Sequence, residues 1–164
     1  MENKTKTQLF WLVILRVAIG WHFLYEGLAK LSNPKWTSFG YLMDSKGLFE
    51  GMFHSMAENE NILNIVDFLN IWGLIAIGLS LIIGFLSRPA IVGGITLLAF
   101  YYLSHPAFIS LEYTLPTTGS YFIVDKTIIE LIALVVLFVF PTSKEIGIDK
   151  LILKKSNTDE QANS

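Results

Sequence analysis

Four long apolar stretches are the feature of this sequence that most restricts its fold. They cover residues 9–31, 64–86, 89–107 and 124–140 and make up half of the 164 residues, yet they hold only 7 of the 26 charged side chains. Each is close to the length that a helix needs to cross a bilayer, because a helix rises about 1.5 Å per residue. The pattern predicts an all-α, polytopic membrane protein, a four-helix bundle with one span per stretch.

The segments between these stretches predict a single domain. Four short spans make one bundle, and no other segment is long enough to fold separately, so we expect one transmembrane domain over 1–153 and a polar, disordered tail over 154–164. Segment 32–63 mixes aromatic with acidic residues, which predicts short helices in the membrane interface. Segment 108–123 predicts a loop that caps the bundle. A turn at Ser87–Arg88, with Pro89 opening the next helix, predicts that the second and third spans pair as a hairpin.

The basic residues predict the orientation of the chain. An even number of spans puts both termini on one side, which then carries seven Lys and Arg residues against four on the other. The positive-inside rule therefore predicts cytoplasmic termini in a multi-pass membrane protein, with membrane lipid as its surroundings.

Composition excludes several classes of function. A net charge of −2 gives no basic surface for nucleic acid. The chain has no cysteine, which excludes a disulfide framework, an iron–sulfur cluster, a cysteine-ligated metal and a dithiol redox motif within it.

Ionisable residues inside the apolar stretches are the main functional signal. Burial of a charge in hydrocarbon costs about 2.5–3.5 kcal/mol on insertion scales. Each ionisable residue in these stretches therefore requires a polar partner or a functional role. With the predicted topology, residues from all four spans share the outer half of the bilayer: His22, Glu26, Lys30, Asp67, His105, Asp125, Lys126 and Glu130. Arg16 lies about two turns from the inner edge, and His22, Glu26 and Lys30 form an i, i+4, i+8 column on the first helix.

Structural explanations of these residues stay open. Lys30, Lys126, Asp67 and Asp125 lie near span ends, where long side chains snorkel and short ones cap helices. Glu26 and Lys30 could form a structural pair, and Arg16 could bind a carboxylate or a lipid headgroup. An isolated membrane histidine is more often hydrogen-bonded than ligated, so at His22 and His105 we expect neither haem nor a metal ion.

Three parts of the sequence resemble the DoxX/DoxD family. The matching residues are Arg16, Gly20-Trp21, Phe23-Leu24-Tyr25, Gly27, Lys30-Leu31 and Asn33-Pro34-Lys35-Trp36 in the first helix and loop, Gly78 to Arg88 in the second span and turn, and Ile146-Gly147-Ile148-Asp149 near the C-terminus. The resemblance implies a four-helix inner-membrane protein with cytoplasmic termini. Its DoxD branch is the membrane subunit of a thiosulfate:quinone oxidoreductase, which works with a second subunit, DoxA. No DoxA-like domain is present here.

The resemblance implies an inner-membrane component of a quinone-linked oxidoreductase that oxidises thiosulfate or a related small sulfur anion, with a DoxA-like subunit as partner. In this hypothesis His22, Glu26 and Glu130 are catalytic and exchange protons with membrane quinone, the substrate. Arg16, Lys30, Lys126 and His105 bind the anion. The alternatives are a non-catalytic scaffold that docks an oxidoreductase at the membrane, and a small transporter or lipid-binding protein. An opening lined by Trp21, Phe23 and Tyr101 would favour quinone.

Overall fold

A computed structural model describes residues 5–108, 111–115 and 122–150. These residues form helices and no β-strand, which confirms the all-α prediction for the described part of the chain. The helices are α1 (Lys6–Leu31), α2 (Phe39–Met43), α3 (Glu50–Glu58), α4 (Glu60–Ile83), α5 (Ser87–Ser104) and α6 (Lys126–Val139). The predicted tail over 154–164 lies outside the described residues.

Side-chain caps explain where α1, α4 and α6 begin. Thr5 and Gln8 form a reciprocal capping box at α1, and Asp125 accepts a hydrogen bond from the Ile128 N–H at 2.9 Å at α6. Asn59 accepts from two backbone N–H groups, so α4 begins at Glu60, earlier than predicted. Asp67 therefore lies about two turns inside α4. Its carboxylate accepts a hydrogen bond from the Ser38 N–H at 2.8 Å and does not cap the helix.

The turn between α4 and α5 lies earlier than predicted. Gly84 adopts a left-handed conformation (φ 68°), which ends α4, and Leu86 also has a positive φ of 49°. The turn is therefore Gly84-Phe85-Leu86, and the prediction of Ser87–Arg88 was wrong. Pro89 is the third residue of α5, still within the first turn, where a missing N–H costs no intrahelical bond.

Glycines bring α1 and α4 into close contact. A methyl group added at Gly78 would lie 2.5 Å from the Leu24 backbone nitrogen, and one at Gly27 would lie 3.0 Å from the Ile75 nitrogen. Small residues permit such close backbone approach between helices. The α1–α4 interface is the most extensive between helices of the described chain.

All four long helices share one apolar core. Helix α4 also packs on α5, α5 on α6, and α6 on α1, which closes the ring of contacts. The core residues are Ile19, Phe23, Leu74, Ile77, Leu81, Ile91, Leu98, Leu134 and Leu137. A second cluster, Leu42, Phe53 and Ala57, packs α2 and α3 near the start of α4. The short helices predicted in segment 32–63 are therefore confirmed as helices.

The helix set has two ends. The turn end holds Gly84–Leu86 and the segment after α6, since the Asp149 carboxylate accepts from the Leu86 N–H at 2.8 Å. The loop end holds α2, α3 and the described part of segment 108–123. There the Asp44 carboxylate accepts from the N–H groups of Thr114 and Leu115, both at 2.9 Å. The two loop segments therefore touch over the loop end.

Two described helices, α1 and α4, are long and apolar enough to cross a membrane. Helices α5 and α6 have 18 and 14 residues. A perpendicular crossing needs about 20.

Candidate functional site

The seven predicted site residues fall into four places. His22 and Glu130 join α1 to α6, with Glu26 and Lys126 within electrostatic range of His22, and Lys30 lies between α1, α4 and α5. His105 lies under the loop segments, and Arg16 lies at the turn end. Tyr101, which bonds Lys30, also lies 5.8 Å from Tyr41 between ring centroids, and Tyr41 stacks on His105, so the Lys30 and His105 groups adjoin. Arg16 is separate from the groups at the loop end.

His22 and Glu130 form the polar link between α1 and α6. The His22 Nδ1 lies 2.7 Å from the Glu130 Oε1, a short hydrogen bond between an imidazole and a carboxylate. The His22 side chain is 43% exposed, whereas that of Glu130 is 13% exposed. The pair thus joins a largely buried carboxylate to a partly exposed imidazole at the outer surface of the helix set.

Glu26 and Lys126 surround this pair without joining it. Both lie within electrostatic range of His22, and Lys126 is exposed. Lys126 and Glu130 are four residues apart on α6, but Glu130 bonds to His22. The group therefore contains one imidazole, two carboxylates and one ammonium, which can hold or pass a proton at the surface of α1 and α6.

Lys30 is satisfied inside the protein. Its Nζ donates to the Asn70 Oδ1 at 2.7 Å and to the Tyr101 hydroxyl at 3.2 Å, and that hydroxyl donates to the same Asn70 oxygen at 3.0 Å. The ammonium also lies 5.1 Å from the Trp36 ring centroid, a cation–π distance. Lys30 therefore bonds toward α4 and α5, while Glu26 lies within electrostatic range of it.

His105 lies in an aromatic stack under the loop segments. Its ring stacks on Tyr41, with centroids 4.0 Å apart, and on Tyr113 at 4.7 Å. Its Nδ1 is 3.0 Å from the Ser104 hydroxyl, and its Nε2 is 3.8 Å from an Asp44 oxygen. Burial alone would raise the pKa of Asp44, but the bonds from the Leu115 and Thr114 N–H groups hold that pKa below its usual value.

Arg16 is buried at the turn end, with only 3% of its surface exposed. Its guanidinium donates to the Thr142 hydroxyl at 3.0 Å and to the Ile146 carbonyl at 2.9 Å. Fourteen residues separate it from Lys30 on α1, about 21 Å along the helix. Arg16 and Lys30 therefore do not bind one small anion together.

The opening that would favour quinone does not form from Trp21, Phe23 and Tyr101. Trp21 is 61% exposed, whereas Phe23 is 2% exposed and belongs to the core. Tyr101 is held against Lys30 and Asn70 on another side of α1. The three side chains therefore lie in different places, on the outer surface, in the core and beside Lys30, and do not line one opening.

Sequence reasoning missed several partners. Asn70, Tyr41 and Asp44 complete the loop-end groups, and Thr142 holds Arg16. Asn70 lies in an apolar stretch, and a buried amide there needs a hydrogen-bonding partner, which was the available signal. Tyr41, Asp44 and Thr142 lie in loops or short helices, where helix periodicity carries no information.

Asp149 closes the turn end. Its carboxylate bonds to the N–H groups of Leu86 and Ser87, and its own N–H donates to the Gly84 carbonyl at 3.0 Å. Burial alone would raise the pKa of Asp149, but the side chains of Ser143 and Ser87 and these N–H groups hold it below its usual value.

The described residues contain no group of three or more His, Cys, Asp or Glu side chains placed to bind a metal ion.

These features define an all-helical protein with membrane-helix character. The sequence profile of the DoxX family matches residues 11–106, more than half of the chain. The chain therefore belongs to the DoxX family, as the resemblance predicted. No curated protein and no solved structure gives a significant match.

Proposed function

We propose that this protein is the inner-membrane component of a quinone-linked oxidoreductase system. In this proposal α1, α4, α5 and α6 all span the bilayer as a four-helix bundle. The turn end and both termini lie in the cytoplasm, where the larger share of Lys and Arg belongs. The ring of contacts among the four long helices supports the arrangement, as does the membrane-helix character of α1 and α4.

The observation that carries the proposal is the His22–Glu130 pair. Reduction of a quinone to a quinol takes up two electrons and two protons, so its site needs a group that can give protons and be recharged. An imidazole bonded to a carboxylate at 2.7 Å can hold such a proton. Because His22 is 43% exposed beside Trp21 and Tyr25, a quinone in the lipid can reach the imidazole from the side.

The electron donor is proposed to act at the loop end, as a small sulfur anion or through a DoxA-like partner subunit. Lys126 is exposed and is the first residue of α6, at that end. Lys30 has committed two of its three N–H donors, to Asn70 and Tyr101, so it contributes chiefly positive potential. His105 is enclosed by Tyr41 and Tyr113, so it lies behind the loop segments.

A non-catalytic scaffold is the second candidate. The observation in its favour is that Arg16 and Lys30, the two cations best placed within spans, are both bonded inside the protein. A broad apolar face of α1 stays exposed, including Trp11, Trp21 and Tyr25, where a partner helix could pack. Helices α1 and α4 run unbroken, so we do not extend the proposal to transport.

The test is quinone reduction by the purified full chain in detergent. We would record a reduced-minus-oxidised spectrum, add thiosulfate and a short-chain quinone analogue, and follow quinone reduction. Loss of a proton-transferring group typically costs about 10²-fold or more in rate, so His22→Gln and Glu130→Gln should each show such a loss. Thermal unfolding of each variant separates this effect from misfolding.

His54→Gln and Glu58→Gln are the matched controls, because both change the same residue types on α3, away from the pair. They should reduce quinone like the wild type. If His22→Gln and Glu130→Gln also keep the full rate, the pair has no part in the chemistry. If the chain alone reduces no quinone but regains activity with co-purified proteins, the scaffold is the better description.

A further inference from the structure

The short helices α2 and α3 carry an exposed apolar surface at the loop end. It consists of five side chains, which we call the α2–α3 patch: Phe39, Met43, Leu48, Phe49 and Met52. Each of them is more than a third exposed, and Leu48, in the link between the two helices, is 98% exposed. All five lie outside the four long helices. An exposed apolar cluster of this kind marks a surface where a protein meets a membrane or a partner.

The inner side of these two helices is already occupied by the protein itself. Leu42, Phe53 and Ala57 are buried there and pack with Leu63 and Val66 of α4. A helix on the surface of a water-soluble protein buries one apolar side and exposes polar residues on the other. Here the outer side is apolar as well, so the α2–α3 patch is a second contact surface.

Helix α3 separates its exposed apolar side chain from its acidic ones. At 100° per residue, Met52 points about 160° away from the mean direction of Glu50, His54 and Glu58. Both glutamates are exposed. A helix that lies in the plane of a membrane surface shows this division, because its apolar side contacts acyl chains and its charged side contacts water.

The contacts of α3 with α4 set the height of the patch in the four-span arrangement. Helix α4 has 24 residues, about 36 Å, so its first turns reach the boundary of a hydrocarbon layer about 30 Å thick. Helix α3 packs on these turns, at Leu63 and Val66, and the outer face of the same turns exposes Ile62 and Ile65. The apolar surface that α4 presents to lipid therefore extends to the level of α3.

We propose that the α2–α3 patch inserts into the outer leaflet of the bilayer and anchors the loop segments there. Leu48 and Phe49 lie among the upper acyl chains, and the acidic side of α3 faces water. The height of α3 and its acidic side, opposite to Met52, favour lipid over a soluble partner. Because Asp44 bonds to the N–H groups of Thr114 and Leu115, the anchor also holds the second loop segment. The proposal rests on the four-span arrangement and does not depend on quinone chemistry.

The test is electron paramagnetic resonance of the full chain in vesicles of phosphatidylethanolamine and phosphatidylglycerol. The chain contains no cysteine, so one introduced cysteine carries a nitroxide label at a single known site. Leu48→Cys and Met52→Cys place the label in the patch, and Glu58→Cys is the matched control on the acidic side of α3. Oxygen concentrates among acyl chains and a nickel complex stays in water. The ratio of oxygen to nickel accessibility should therefore be higher at the two patch positions than at the control.

Ile132→Cys, on the exposed face of α6, tests the four-span arrangement separately. The proposal is supported if the patch labels favour oxygen, as the α6 label does, while the Glu58→Cys label favours nickel. If the α6 label favours oxygen but the patch labels favour nickel, the helices span the bilayer and the patch lies in water, which overturns the proposal. Patch labels closed to both reagents would mean that a second copy covers the patch, which also overturns it. If the α6 label itself favours nickel, the four-span arrangement fails and the anchor fails with it.

Discussion

The contact between α1 and α4 predicts a severe effect of one methyl group. At Gly78, an added Cβ would lie 2.5 Å from the Leu24 nitrogen, 2.7 Å from the Gly20 carbonyl oxygen and 2.8 Å from the Leu24 Cα. Ordinary contacts begin near 3.4 Å. All three atoms belong to the backbone, so no side chain can rotate away, and Gly78→Ala must separate the two helices.

The structure sets the size of the effect. Relief of the shortest contact needs a separation of about 1 Å, which opens gaps along an interface packed at crystal-like density. Overpacking costs about 1–3 kcal/mol, and we expect the upper part of that range because the strain falls on two backbones. For a chain of this size the loss lowers the unfolding temperature by about 5–12 °C.

The assay is thermal unfolding of the purified protein in detergent, followed by circular dichroism. Gly73→Ala is the matched control, because it lies on the same helix and an added Cβ there meets nothing within 4 Å. Alanine favours helix over glycine by about 1 kcal/mol, so this control should unfold at the wild-type temperature or slightly above. Equal unfolding temperatures for the two variants would refute the close α1–α4 contact.

Three further predictions concern the polar groups. Arg16→Ala should lower the free energy of unfolding by about 2–5 kcal/mol, because it leaves the Thr142 hydroxyl and the Ile146 carbonyl without their donor. Denaturant unfolding checks this, with the exposed Arg88→Gln as the control variant. Equal unfolding midpoints for the two variants would contradict it. The pKa of Asp149 is lower in the folded protein than its ordinary value of 3.8. Its ionised form therefore stabilises the fold at pH values above 3.8, and this contribution is lost as the pH falls through the folded pKa. Asp149→Asn should therefore unfold at a lower temperature than wild type at pH 7, and the difference should shrink below about pH 4; a constant difference down to pH 3 would argue against it. Lys30→Met should leave Asn70 and Tyr101 bonded to each other and remove the cation–π contact with Trp36. Tryptophan fluorescence should therefore change in Lys30→Met. It should stay unchanged in the control variant Lys35→Met, which replaces an exposed lysine.

Helix positions were predictable because apolar runs and caps are local features. The predicted start at residue 9 and the observed start at Lys6 differ because the Thr5–Gln8 capping box lies in a polar segment that hydropathy ignores. The turn at Gly84 was misplaced for a related reason. The sequence does not distinguish a glycine that ends a helix from one that packs between helices. Only the backbone conformation does, and at Gly84 the φ is positive.

The pairing of polar side chains was less predictable. The i, i+4 spacing on α1 suggested partners within one helix, whereas His22 bonds to Glu130 on α6 and Lys30 bonds to Asn70 on α4. Such partners depend on how the helices rotate about their axes, which the α1–α4 glycine contact determines in part. The partners of Arg16 were not predictable either, because its guanidinium lies beside Gly84 at the turn end, in a turn and a segment after α6 that helix periodicity does not describe.

The unequal lengths of α1 and α6 have a consequence for the surrounding lipid. Helix α1 has 26 residues and α6 has 14, so they measure about 39 Å and 21 Å along their axes. If both span the bilayer, the hydrocarbon layer, about 30 Å thick on average, must thin beside α6 and need not do so beside α1. The protein would then deform the membrane on one side only. Short-chain lipids would gather along α6, and two copies that met through α6 would share the deformation and reduce its cost.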